Sequence, residues 1–196
     1  MKPKLNNRSA LRIVAAARVE FATRGFEGAR VDRIARAARV NKQLVFYYFH
    51  SKRALFQVVL QQAVAELEGA LADLPDRGGR PLDRLRASLL AQFDLLASRP
   101  QLVALLSKSD RADAAPFAPA VRRLVVLLAE GQGTGRVRDD VDPHLVAAQA
   151  LVLMIAYLNL ESLIAGSAPP LGADEPALRE RWKRSAVELV LNGVRA

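Results

Sequence analysis

The residues best suited to chemistry in this sequence stand close together. Between positions 40 and 52 lie Asn41, Lys42, Gln43, Phe46, Tyr47, Tyr48 and Lys52, spaced among the apolar Val40, Val45 and Phe49. On a short helix the apolar three form a packing face, and Asn41, Lys42, Gln43, Phe46 and Tyr47 are left pointing outward. Amide and ammonium groups on such a face can donate to base edges and phosphate oxygens. A face that only meets solvent has little use for exposed Phe and Tyr. The chemistry expected here is recognition of a nucleic acid, with no bond made or broken.

Other constellations read differently. Gly131, Gly133 and Gly135 are spaced like part of a phosphate loop, but they follow a helical pattern and not a strand, so they are expected to end a helix. Asp139, Asp140 and Asp142 lack the glycine and the final glutamate of a calcium loop and are expected in loop and cap roles. His144 beside Pro143 is expected on the surface of a first helical turn. With no cysteine and only two histidines, His50 and His144, thiolate sites, disulfides and a three-histidine metal centre are excluded. No Ser–His–Asp set and no paired carboxylates stand out. The expectation is a protein that is not an enzyme and takes no metal or cofactor.

The charge distribution points the same way. The formal net charge is +9, and residues 1–56 hold 13 Lys and Arg against 3 Asp and Glu, whereas residues 57–196 hold 16 against 17. A basic module on a neutral body suits a polyanion or an anionic membrane surface. A membrane is the poorer fit, because the aromatics do not form one lipid-facing stripe. Arg12 and Arg18 break any signal-peptide core. The most apolar stretch, Leu145–Ala165, is interrupted by Gln149, Asn159, Glu161 and Ser162, short of the roughly 18–20 uninterrupted apolar residues of a spanning helix. A cytoplasmic protein with no membrane partner is expected.

Helical spacing runs almost throughout, which predicts an all-α chain of about nine helices. Ile13, Ala17 and Phe21 share a face that stops at Gly25. Val31, Ile34, Ala35 and Ala38 give a two-turn helix, a break follows at Arg39–Val40, and Lys42 to about Tyr48 gives another. Ser51 is the expected N-cap of a longer helix. Later helices are expected from Pro81, from Pro100, near 117–130, from Pro143 after an Asp142 cap, and after an Asp174 cap. Two short helices across a tight turn form a helix-turn-helix. This predicts a DNA-binding domain at 1–56 and a second domain at 57–196.

The ordered segments Ala15–Phe26, Gly28–Ala35 and Val40–Lys52 resemble the DNA-binding domain of TetR-type transcriptional regulators. The resemblance implies that the third helix reads an operator and that the C-terminal domain binds a small effector and dimerises through its last two helices. By position, Lys42, Gln43, Leu44 and Phe46 fall where bases are contacted, and Asn41, Tyr47, Tyr48 and Lys52 where phosphates are held. The sequence departs from the family pattern at three places. Ala29-Arg30 replaces the usual Thr/Ser pair, removing an N-cap hydroxyl, while Arg30 offers a phosphate contact by charge. Arg39 stands where glycine is usual in the turn; a left-handed backbone there costs roughly 1 kcal/mol or more. Phe46 replaces the commoner Tyr.

The helix at 143–165 is apolar on all sides, through Leu145, Leu151, Leu153, Ile155, Leu158 and Leu160, and is expected to be covered on all sides. A second subunit is the simplest cover. The predicted homodimer is a four-helix bundle of 143–165 and 174–194, with Leu151, Leu158, Leu178, Trp182, Ala186, Leu189 and Val190 at the interface. It should bind an inverted-repeat operator on double-stranded DNA. Helices 81–97, 100–107 and 117–130 are expected to enclose a mostly apolar effector pocket bearing Phe93, Leu96, Leu102, Val103, Leu106, Phe117, Met154 and Tyr157. The most direct reading is a repressor released by a small molecule. An architectural DNA-binding protein without an effector, and an all-helical enzyme, are the alternatives.

Overall fold

The computed structural model describes residues 8–74, 78–108, 117–167 and 175–196. Among them are nine helices: α1 (Arg8–Gly28), α2 (Val31–Ala37), α3 (Lys42–Phe49), α4 (Lys52–Ala72), α5 (Pro81–Ala97), α6 (Pro100–Ser107), α7 (Ala118–Gly133), α8 (Pro143–Ser167) and α9 (Glu175–Val194). The described residues form no strand, only an isolated bridge between Val137 and Arg195. The expected caps are in place where they can be seen. Ser51 Oγ accepts from the Ala54 amide at 3.0 Å, Pro81 opens α5, and Asp142 accepts from the His144 amide at 2.8 Å. Gly135, with φ 65°, takes the left-handed turn after α7. The expected Asp174 cap lies outside the described residues.

The chain divides into two compact units. The first runs to Glu66 and takes in the segment from Gln101; the second holds Leu67–Pro100 and the chain from Phe117 onward. The sequence placed the division at 56/57. α4 crosses that point as one unbroken helix, so no backbone break marks it. α6 groups with the first unit, where the neighbouring Lys108 ammonium meets the Ala22 and Thr23 carbonyls of α1 at 2.7 and 3.0 Å. These carbonyls sit just before Gly25, whose φ 67° interrupts α1.

The core of the first unit is Ile13, Ala17, Phe21, Ile34, Val45, Phe49, Leu55 and Phe56, all buried. Phe21, Phe26 and Phe56 meet ring to ring, Phe56 lying 4.9 Å from Phe21 and 5.2 Å from Phe26. In the second unit α5, α7, α8 and α9 bury Leu85, Leu89, Phe93, Leu124, Leu128, Met154, Tyr157 and Leu191. The same chain covers only one side of α8, leaving Leu145, Val152, Leu160 and Leu163 exposed. By length and composition α8 could cross a membrane, although its buried side packs against α7 and α9 as a core helix.

Candidate nucleic-acid interface

α3 is seated on the first unit by Val45 and Phe49, each 2% exposed. That seating turns Asn41, Lys42, Gln43, Phe46 and Tyr47 to solvent. Tyr47 is 73% exposed and Phe46 38%, so the aromatics are presented and not stored. Leu44 and Tyr48 are half-buried. The rings of Tyr47 and Tyr48 meet edge to face at 5.3 Å, which braces the exposed ring against the held one.

The polar groups at the start of α3 already have partners. Asn41 Oδ1 accepts from the Leu44 amide at 2.7 Å as the N-cap. Any phosphate contact from Asn41 therefore falls to its NH2 group. Lys42 Nζ lies 3.1 Å from Asp32 Oδ2 of α2, with both side chains well exposed. Such a pair contributes little stability and leaves the ammonium easily released to a phosphate or base.

The start of α2 shows how the missing hydroxyl is replaced. Arg30 is the N-cap residue and its side chain makes no cap. Glu20 of α1 reaches across instead, accepting from the Arg30 amide at 3.1 Å and from Arg33 Nε at 2.6 Å. Burial alone would push the Glu20 carboxyl up, but the hydrogen bonds from Arg33 and the Arg30 amide, with the charges of Arg33 and Arg24, hold it below the usual carboxylate value. A carboxylate at a helix N-terminus is also favoured by the backbone dipole. The Arg30 side chain is exposed beside this cap.

Arg39 does adopt the left-handed backbone, at φ 54°. It completes a helix-ending motif in which the Val40 amide donates to Ala35 O at 3.0 Å and the Arg39 amide to Arg36 O at 3.1 Å. The guanidinium is exposed at the edge of a groove of about 500 Å³ between α1 and α2, which Arg12, Val19 and Arg33 also line.

Lys52 is placed differently from the plain phosphate ligand the family pattern implied. Its ammonium meets the carbonyls of Phe26 at 2.8 Å and of Glu27 and Ala29 at 3.4 Å. It also lies 4.4 Å above the Phe26 ring. An ammonium has three donors, and here three carbonyls face them, so Lys52 first of all ties α4 to the last turn of α1 and to Ala29 just after it.

The residues assigned to effector and partner sort by burial. Phe93, Leu96, Met154 and Tyr157 are buried in the second unit, and Phe117 is half-buried at the head of α7. Leu102, Val103 and Leu106 are buried residues of α6, which belongs to the first unit, so the predicted pocket residues do not all gather in one unit. Of the interface set, Leu189 is exposed, and Leu158, Trp182, Ala186 and Val190 are half-buried. Leu151 and Leu178 are a correction: at 5% and 3% exposure they are spent on the chain's own core and present no surface to a second copy. The outward apolar face of α8 is instead Leu145, Val152, Leu160 and Leu163.

The sequence reading missed a polar arrangement beside these residues. Tyr157 and Trp182 stack at 4.3 Å, with Phe93 about 6 Å from each. The Tyr157 hydroxyl donates to Glu161 at 3.1 Å, and Arg179 grips both oxygens of Glu161 at 2.7 and 2.6 Å. That grip holds the Glu161 carboxyl below its usual value. Lys183 is buried between Asp94 at 2.9 Å and Glu180 at 2.6 Å. The i, i+4 spacing of Tyr157 with Glu161 and the i, i+3 spacing of Glu180 with Lys183 were the available signals. Among the described residues no group of His, Asp and Glu could hold a metal ion.

A basic helix-turn-helix followed by a long helix and further helices is the arrangement of a DNA-binding regulator. Comparison with known proteins gives the family. The model for bacterial regulatory proteins of the tetR family matches residues 13–59. The HTH-type transcriptional repressor SCO4008 of Streptomyces coelicolor is 30% identical over 193 residues, spanning 91% of this chain and 93% of that one. The HTH-type transcriptional repressor NicS of Pseudomonas putida is 29% identical, spanning 93% and 91%. The solved structure of the transcriptional regulator SCO4942 from Streptomyces coelicolor superposes with a TM-score of 0.71 at 29% identity, over 92% of this chain and 97% of that one. This chain belongs to the TetR family and is a helix-turn-helix transcriptional regulator.

Proposed function

We propose that the protein is a homodimeric repressor that holds an inverted-repeat operator and leaves it when a small, mostly apolar effector occupies the C-terminal unit. The observation that carries this reading is the α3 face: Lys42, Gln43, Phe46 and Tyr47 stand exposed together on a helix seated by Val45 and Phe49. In this reading Lys42, Gln43, Leu44 and Phe46 meet base edges, and Arg30, Asn41, Tyr47 and Tyr48 meet phosphates, with Lys52 lending its charge from behind. The apolar face of α8 with Leu189 of α9 supports the dimer, because four exposed large apolar residues on one helix need cover. Buried Phe93, Leu96, Met154 and Tyr157 support an apolar effector site within the second unit. The protein works where the chromosome is, in the cytoplasm, and on no membrane.

Release follows from differential affinity. An effector relieves repression only by preferring the conformation whose two α3 helices are wrongly spaced for DNA. A 10²-fold preference corresponds to about 2.7 kcal/mol, and DNA must then weaken effector binding by the same factor. Selection of bound sequences from a random DNA pool tests the reading. The expected product is an inverted repeat with half-sites about one helical turn (~34 Å) or a multiple apart. A pool with no enriched sequence would mark a basic architectural protein instead.

A further inference from the structure

A polar track runs through the interior of the second unit. It starts at the end of α4, where the Leu71 and Leu74 carbonyls accept from Arg123 Nη1 at 3.0 Å and Nη2 at 3.1 Å. Arg123 Nε donates to Ser88 Oγ on α5 at 3.2 Å. One turn along α5, Gln92 Nε2 donates to the same Ser88 oxygen at 3.3 Å. The track ends there. Gln92 is 0% exposed, and its Oε1 is buried with no donor from the protein within reach.

Gln92 sits in the stripe of Leu85, Leu89, Phe93 and Leu96. A leucine would fill that position and leave nothing unsatisfied, whereas a buried carbonyl without a donor destabilises the fold. Ser88 Oγ receives N–H donors from two sides, which matches its two lone pairs and turns the Gln92 amide so that its oxygen is the pole left over. Arg123 is committed to carbonyls and to Ser88. The end of the track therefore offers an acceptor and no charge.

We propose that Gln92 is the specificity-determining residue of the effector site, its Oε1 accepting a hydrogen bond from a hydroxyl or N–H group on an uncharged, otherwise apolar ligand. This rests on the reading of the second unit as effector-binding and adds the one polar feature the effector must carry. The ligand's donor would also polarise the chain Gln92–Ser88–Arg123, which terminates on the carbonyls of Leu71, in the last turn of α4, and of Leu74 just beyond it.

The test is thermal unfolding of the full chain with matched probe pairs, phenol against anisole and indole against 1-methylindole, which differ in the donor alone. Wild-type protein is expected to bind phenol and indole about three- to tenfold more tightly than their methylated partners. Gln92→Leu is expected to melt about 2–4 °C higher without any probe and to lose the preference. Gln92→Met serves the same purpose should leucine overfill the site. Equal response of the wild type to both members of both pairs overturns the proposal, as does an unchanged preference in the variants. Operator binding followed in parallel separates the two readings. DNA release by some ligand without any donor preference removes Gln92 alone. A donor preference without any effect on DNA keeps the site and removes the release mechanism.

Discussion

The ammonium of Lys52 lies 2.8 Å from the Phe26 carbonyl and 4.4 Å above the centre of the Phe26 ring. One side chain at the first turn of α4 thus holds both the backbone and the ring of a residue in the last turn of α1. Lys52→Ala should cost about 1–3 kcal/mol of stability, from carbonyls left without their donor and the lost cation–ring contact. Urea unfolding measures it. Operator and random DNA should weaken in equal proportion, since the frame and not the reading face is loosened. A variant of unchanged stability would assign Lys52 to phosphate alone.

Lys42→Ala and Gln43→Ala should reduce discrimination between operator and random DNA by roughly 1–3 kcal/mol where a base contact is lost. Competition binding at two salt concentrations decides it; full specificity in both variants would remove α3 from the reading role. Asp32→Asn releases Lys42 from its exposed partner. It should leave stability within about 1 kcal/mol and tighten DNA binding.

Arg39→Gly should raise stability by about 0.5–1 kcal/mol. Relief of the left-handed strain at φ 54° exceeds the entropy that glycine adds to the unfolded chain. Chemical denaturation gives the sign directly, and a loss of stability would show that the Arg39 side chain contributes more than its backbone costs.

Glu20 sets an acid limit on the DNA-binding unit. Its carboxyl is held below the ordinary 4.5 in the folded chain, so its contribution is full above the unfolded value and falls as pH drops through the lowered folded value. Stability should therefore decline from about pH 4.5 downward, and Glu20→Gln should flatten that part of the profile while lowering stability at neutral pH. Glu161, held down by Arg179, adds a loss of the same sign in the second unit. A Glu20→Gln profile parallel to wild type would show that the cap over α2 carries no weight.

Val152→Glu and Leu189→Glu place charges on the exposed apolar surface of α8 and α9. Each should give a folded monomer in sedimentation at micromolar concentration, with operator affinity lost because two half-sites are no longer read together. Leu151→Ala, directed at a buried position, should instead cost about 2–5 kcal/mol of stability and leave the association of the folded protein unchanged.

Much was determined by the sequence alone. The helical period, the caps at Ser51 and Asp142, the Val31, Ile34, Ala35 and Ala38 face, and the outward set on α3 all depend on residues within a turn or two of one another, where spacing dictates geometry. The tertiary structure decided the rest. Glu20 replaces a cap hydroxyl from ten residues away, Lys52 meets Phe26 across 26 residues, and Gln92 is left with a bare oxygen by what α5 and α7 bring beside it. No local pattern encodes such pairings. Periodicity also fails on α8: where every face is apolar, spacing alone cannot say which face the chain covers, so Leu151 turns inward and Val152 outward because of the neighbours α7 and α9.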